Sequence, residues 1–173
     1  MSEVYFTADT HFGHAGILRF CNRPFATIEE HDRALVDAWN ATVRQRDIVY
    51  VLGDFAHRAG AEHAERTFRR LHGSKFLVVG NHDGAAVRRL RWAGEPRDRV
   101  EVAADGTRFV LDHYPLREWN AMRHGSVHLH GHVHGKLRGL GLSMDVGVDP
   151  NGYRPLHAGE VLAAVRRNQT YEP

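Results

Sequence analysis

The sequence predicts an α/β protein. Three observations carry that reading. Short apolar runs rich in β-branched residues alternate with segments of helical periodicity, each run halts at a polar cluster, and the second half is richer in strand patterns.

Val4-Tyr5-Phe6-Thr7-Ala8 opens the chain as a buried strand. Thr27 with Glu30 forms a capping-box pattern, and Leu35, Val36, Trp39 and Val43 recur at helical spacing, so a helix is expected over residues 28–45. Trp39 falls on its core face, whereas Trp92 and Trp119 fit a core or a rim position. Ile48 to Leu52 is a second strand, halted by Gly53. Ala61, Ala64, Phe68 and Leu71 mark a second helix that stops near Gly73. Phe76 to Val79 is a third strand, halted by Gly80, and residues 84–92 a third helix, ended by Gly94 and Pro96. Continuous apolar runs suit strands covered on both faces, so this half should hold a parallel sheet. Arg99 to Ala103 and Thr107 to Leu111 flank Asp105-Gly106, a hairpin signal. Ser126 to His130 and Leu142 to Val146 read as further strands, and residues 157–167 as a closing helix with Val161, Leu162 and Val165 on one face.

A length of 173 residues predicts one domain, 1–173, able to bury a core without disulfides. No apolar run is long enough to span a bilayer, which excludes a helical membrane protein. The start lacks a signal peptide's basic and apolar regions, and Cys21 is the only cysteine, so a cytoplasmic location is expected. The net charge of +2 does not announce a polyanion partner. Arginine is heavily preferred over lysine, 21 against 2, which reads as compositional bias. The run Arg88, Arg89, Arg91, Arg97 and Arg99 could touch an anionic polymer, but a solvated helix face and loop is the favoured reading. The outlier is histidine, with 14 residues.

Their positions matter more than their number. Asp9-Thr10-His11, Gly53-Asp54, Gly80-Asn81-His82-Asp83, His113 and His130-Gly131-His132-Val133-His134 each follow a predicted strand. Ligands of open α/β sheets bind at the carboxyl ends of strands, so five such clusters should converge on one rim. Asp9-x-His11 is expected to present both side chains on one side of an extended segment, and His132-x-His134 repeats the spacing. Asp54, on a short loop after Gly53, is placed to bridge two cations with its two oxygens. Asn81 adds a neutral amide oxygen. Mixed His, Asp and Asn donors suit borderline divalent ions rather than a thiolate structural zinc site.

Taken together and in order, these five motifs resemble those of the calcineurin-like metallophosphoesterase superfamily. The resemblance spans residues 9–134, and DTHFGH, CNRPF, LGDF and DHYP are similar to its small stand-alone bacterial and phage members. It implies a four-layer αββα sandwich of two mixed sheets flanked by helices. It implies that Asp9, His11, Asp54 and His134 hold one divalent metal and Asp54, Asn81, His113 and His132 a second, with Mn²⁺ preferred and Fe²⁺, Zn²⁺ or Ni²⁺ as alternatives. Metals about 3.5–4 Å apart would lower the pKa of a bridging water or hydroxide and clamp phosphoryl oxygens for in-line attack. By resemblance His82 is the catalytic histidine, contacting the phosphate and protonating the leaving oxygen, with Asp54 as the bridge and Asn81 also near the phosphate.

The chain departs from the protein-phosphatase pattern at His57, where those enzymes carry an Asp that orients the histidine; Arg58 matches a phosphate-binding arginine in an altered context. His14 and Arg23 are candidate phosphate holders, Arg23 through a bidentate fork. His31, His63, His72, His124, His128 and His157 are read as ordinary polar contacts. The expected activity is hydrolysis of phosphate esters, with diesters favoured because no cap segment encloses a small metabolite. A phosphomonoesterase, a nuclease and a metal-binding scaffold without chemistry are the alternatives. Nucleic acid is compatible with such a site, although no basic track points to it.

Overall fold

The computed structural model describes residues 2–168. In chain order its strands are β1 Val4–Thr7, β2 Ile48–Leu52, β3 Ser74–Val78, β4 Arg99–Ala104, β5 Thr107–Asp112, β6 Val127–His130, β7 Ser143–Asp145 and β8 Leu156–His157. Its α-helices are α1 Ala15–Phe20, α2 Ile28–Thr42, α3 Ala61–Arg70, α4 Ala85–Arg88 and α5 Ala158–Val165.

The strands form two four-stranded sheets, ordered β3-β2-β1-β8 and β4-β5-β6-β7. In the first, β1, β2 and β3 are parallel and β8 is antiparallel to β1. In the second, the β4–β5 hairpin is antiparallel, whereas β5–β6 and β6–β7 are parallel. Both sheets are therefore mixed, and helices flank them, as expected.

Side-chain alternation explains the layering. Tyr5, Val49, Val51 and Leu77 leave the first sheet on one face and pack under Leu35, Val36 and Trp39 of α2 and Ala64 and Phe68 of α3. Phe6, Leu52 and Val78 leave the other face and meet Phe109, Leu111, Val127 and Leu129 of the second sheet, joined by Val161 and Val165 of α5. Phe6 and Phe109 rings lie 4.9 Å apart across this seam. Each large side chain so buried stabilises the fold by about 1.5–3 kcal/mol. The sequence looked uniformly apolar here because β1 to β3 bury both faces.

The outer face of the second sheet carries Val110, His128 and His130, all buried. The 114–126 segment covers part of it, not an α-helix: Leu116 N–H donates to His128 Nε2 at 3.0 Å, and the Trp119 ring lies 5.3 Å from the His128 ring. His128 is thus a structural clasp, consistent with its reading as an ordinary polar contact.

Element ends differ from expectation for local reasons. Helix α2 stops at Thr42, because Val43 turns to β conformation and Asp47 accepts from Arg44 N–H at 2.8 Å to close the next turn. Helix α4 is one turn long, because Trp92 folds back and donates from Nε1 to Val87 O at 2.8 Å. Helix α1 and the two-residue β8 carry too little periodicity to be seen in sequence. Among the described residues no helix is long and apolar enough to cross a membrane.

Candidate metal centre

Because β1, β2 and β3 run parallel, their carboxyl ends share one rim, and β5, β6 and β7 bring theirs to the same edge. Backbone pairing continues past the strands: Asp9 N–H donates to Gly53 O at 3.0 Å and His11 N–H to Asp54 O at 2.9 Å. Val148 N–H donates to Ala8 O at 3.1 Å, tying the two sheets together there.

The ligand loops are not extended. Asp9, His11, Asp54, His132 and His134 have φ of 56°, 50°, 55°, 70° and 50°. Side chains converge through left-handed turns, not through strand alternation, so the expected extended Asp9-x-His11 geometry is corrected. Each such residue costs about 1–2 kcal/mol relative to a right-handed one. Five expected ligands sharing this strain marks a site whose backbone is forced by its surroundings. Close approach adds a second demand: a Cβ on Gly53 would strike His113 and Gly80, and one on Gly131 would lie 2.6 Å from Asp9 Oδ2.

Asp83 locks the central loops. Its carboxylate accepts from Gly80 N–H at 2.8 Å, Asp54 N–H at 2.9 Å and Phe55 N–H at 2.9 Å. Burial pushes its pKa up to about 6 against the pull of those three donors. Asp83 was expected only as a member of a motif, with no task; its Gly-Asn-His-Asp position was the available signal.

Asp54 stands at the centre. Its Oδ1 accepts from His82 N–H at 2.9 Å, and its Oδ2 faces His11 Nε2 at 3.5 Å and His113 Nε2 at 3.6 Å. Oδ1 is thus engaged by backbone, and Oδ2 is the oxygen that faces both histidine nitrogens. On one side, Asp9, His11 and His134 bring donor atoms within 4.8 Å of one another. Asp9 Oδ1 and His11 Nε2 are buried and lack any hydrogen-bond partner. Leaving such atoms unpaired costs about 1–3 kcal/mol each, and a cation at this position would satisfy both. On the other side, Asn81 Oδ1 lies 2.9 Å from His113 Nε2 and 3.1 Å from His132 Nδ1. His113 Nδ1 sits 2.8 Å from Leu52 O and must donate to it, so in the neutral ring Nε2 presents a lone pair toward Asn81 Oδ1. A shared cation resolves that opposition. The donor sets on both sides thus fit divalent metals.

A buried network backs the first half. His134 Nδ1 lies 2.8 Å from Asp149 Oδ2. Arg23 grips Asp149 with Nε at 2.8 Å and Nη2 at 2.8 Å. The remaining Arg23 donors reach Thr10 O at 3.1 Å, Asp9 O at 2.7 Å and His31 Nε2 at 2.8 Å. All five N–H groups are used and the side chain is buried, so Arg23 is not free to hold a phosphate: that expectation is corrected. It is a positioning residue. His31 Nδ1 passes the chain on to Asp32 Oδ1 at 2.8 Å, and His63 Nε2 meets Asp32 Oδ2 at 2.7 Å. Asp149, His31 and Asp32 were not foreseen as parts of the site, and no local motif marks them.

Burial opposes charge on His134, but hydrogen bonds to Asp149 and Cys21 outweigh it and push its pKa up to about 10. Burial, then the Arg23 and His134 charges, hold His11 far below the usual histidine range. Burial and His113 lower His132.

His14, His57 and His82 form the rim. The His57 ring lies 4.4 Å from that of His82 and 4.7 Å from that of His14. His82 is exposed, with its ring 5.6 Å from His11. His14 Nδ1 is 3.4 Å from His11 Nδ1. Burial, then His57 and His82, bring the pKa of His14 down to about 4, so near neutrality it offers hydrogen bonds rather than charge.

The calcineurin-like phosphoesterase family matches residues 2–132. The uncharacterized protein MJ1445 of Methanocaldococcus jannaschii is 30% identical, over 98% of this chain and 94% of its own. A protein of unknown function, AQ665 from Aquifex aeolicus, shares the fold with a TM-score of 0.75 at 24% identity, covering 95% of this chain and 100% of that one. A novel archaeal phosphodiesterase does so with a TM-score of 0.53 at 18% identity, covering 84% of this chain and 82% of its own. The family match covers the rim clusters through His132, and with the donor geometry it leads to one conclusion: the chain belongs to the calcineurin-like phosphoesterase family, metal-dependent hydrolases of phosphate esters.

Proposed function

We propose that this domain, 1–173, is a phosphodiesterase working at a two-metal centre, with Asp9, His11, Asp54 and His134 around one ion and Asp54, Asn81, His113 and His132 around the other. The observation that carries the reading is Asp54 Oδ2, placed 3.5 Å and 3.6 Å from two histidine nitrogens that belong to different donor sets. When bound, two divalent cations supply a water of lowered pKa and positive charge for the phosphoryl oxygens.

The chain's own residues do the rest. Left-handed loops hold the donors in place, so little reorganisation accompanies binding. His82 would give a proton to the departing alcohol oxygen as its bond to phosphorus breaks, and the proton lost by the attacking water would restore the ring through solvent. His57 packs on the His82 ring where protein phosphatases carry an Asp, which supports a positioning role through contact. His14 supports phosphate binding as a neutral hydrogen-bonding group. Asn81, His82 and His132 are exposed, and that open rim supports diesters over a small enclosed metabolite.

The test is a metal-by-substrate panel. Metal-free protein is reloaded with Mn²⁺, Fe²⁺, Zn²⁺ or Ni²⁺ and assayed on aryl mono- and diesters, cyclic nucleotides and oligonucleotides. Mn²⁺ with diesters should give the highest kcat/KM. Faster monoester turnover would move the assignment to a phosphomonoesterase, and no turnover with any pair would sink it.

A further inference from the structure

Beyond His82, away from the donor atoms, lies a cavity of about 290 Å³. His57, His82, Ala59, Ala64, Ala86 and Val87 are among its lining residues. Its size approaches the lower bound of ~300 Å³ seen for small-molecule pockets, and its wall is mainly apolar. At Ala61 and Ala86 it meets a second groove of about 610 Å³ between α3 and α4.

That groove is basic: Arg69, Lys75, Arg89 and Arg91 line it against one acid, Glu65. Two of the four cations are engaged. Arg69 pairs with Glu65, and Lys75 Nζ donates to Leu71 O at 2.7 Å and Gly73 O at 3.0 Å. Arg89 and Arg91 are exposed, and no ion pair among the described residues includes them. The surroundings of the arginine run therefore differ along it. Arg88 bonds Asp83 O at 2.7 Å, Arg99 pairs with Asp112 at 2.9 Å, and Arg89 and Arg91 face the groove.

We propose that this channel is the leaving-group subsite, and that the substrate is a phosphodiester whose departing alcohol is nucleoside-sized and carries a further phosphate, as in a short oligonucleotide. The assignment rests on His82 being the leaving-group acid. A group bonded to the departing oxygen next enters the cavity that His82 and His57 line. Its apolar body sits on the alanines, and its phosphate reaches Arg89 and Arg91. Guanidinium groups hold phosphate oxygens in charge-assisted, often bidentate, bonds.

The experiment compares two esters on the Mn²⁺-loaded protein. One is a thymidine dinucleotide phosphorylated at both ends, so that a phosphate lies beyond the leaving alcohol whichever bond breaks. The other is the p-nitrophenyl ester of thymidine 5′-phosphate, whose leaving group has no such tail. Arg89→Glu with Arg91→Glu should lower the kcat/KM ratio of dinucleotide to aryl ester about tenfold or more. Ala86→Trp, at an exposed helix position, should lower it by blocking the cavity. Arg33→Glu with Arg46→Glu, exposed and outside the lining of both cavities, makes the same charge change and should leave the ratio in place. An unchanged ratio in the Arg89/Arg91 variant, or an equal fall in the Arg33/Arg46 control, overturns the subsite. Dinucleotide binding by fluorescence anisotropy is read in parallel. If the wild type hydrolyses neither ester, the phosphodiesterase reading fails. The Arg89/Arg91 variant then judges the anion channel separately, by a Kd that rises tenfold or stays the same.

Discussion

The two halves of the proposed metal centre both face Asp54 but are built differently. The Asp9–His11–His134 half is backed by protein: Asp149 holds His134, Arg23 holds Asp149, and His31 and Asp32 hold the far side of Arg23. The Asn81–His113–His132 half has one buried support, the Leu52 carbonyl on His113, while Asn81 and His132 are exposed. One half is fixed before any ion arrives, and the other faces solvent at the rim. Partners that orient a ligand are commonly worth 10- to 100-fold in metal affinity. The first half should therefore bind more tightly, and the second should be the exchangeable position where substrate enters.

The largest effect should come from the residue the halves share. Asp54→Ala should empty both positions and lower turnover to below about a thousandth, several kcal/mol of lost transition-state stabilisation. Metal analysis and kcat on the purified variant check this. Loss of one ion only would mean that Asp54 is not the bridge.

Paired variants then separate the halves. Arg23→Met leaves the half-buried Asp149 with His134 as its remaining partner and strips the Arg23 bonds to Asp9 O and Thr10 O, which should cost about 1–3 kcal/mol in denaturant unfolding and weaken the first ion about 10- to 100-fold. His132→Ala should remove the second ion with little change in unfolding, because the ring is at the surface. Equal stability losses in the two variants would erase the asymmetry.

The smallest effect is a difference in pH dependence. In the metal-free fold, the hydrogen bond to Asp149 pushes the pKa of His134 up to about 10, from an ordinary 6.5. Its protonated form is thus favoured by folding. That contribution is complete below about 6.5 and is lost as pH rises through about 10. The first ion must expel this proton, so its affinity should rise about tenfold per pH unit across the neutral range. Burial and His113 shift His132 the other way, so the second ion should expel less proton from it than the first does from His134. Calorimetry in buffers of different ionisation enthalpy reads proton release for each site. No release on filling the first site would contradict the His134–Asp149 link.

Much of this centre was legible because metal chemistry needs particular side chains and strand ends place them. The seven residues expected as ligands, with His82 and His14, do gather at one rim. Arg23 was legible as a residue of interest but not in its role. Its Asp149 partner lies 126 positions away, and nothing local distinguishes a surface guanidinium from one with every donor buried. The arginine run is exposed as expected, but its partners were not legible: Arg88 and Arg89 are neighbours in sequence with different surroundings.

The sequence alone determined which atoms are available. Apolar runs ending in Asp, His and Asn dictated a parallel sheet with a polar rim, since buried strands need apolar side chains and their ends can bear donors. The tertiary structure decided how those donors are aimed. Left-handed turns at Asp9, His11, Asp54, His132 and His134 are strained locally and persist only because pairing between loops and the Asp83 and Arg23 networks enforce them. Long-range hydrogen bonds override local preference there, and local preference is what a reading of short sequence windows can see.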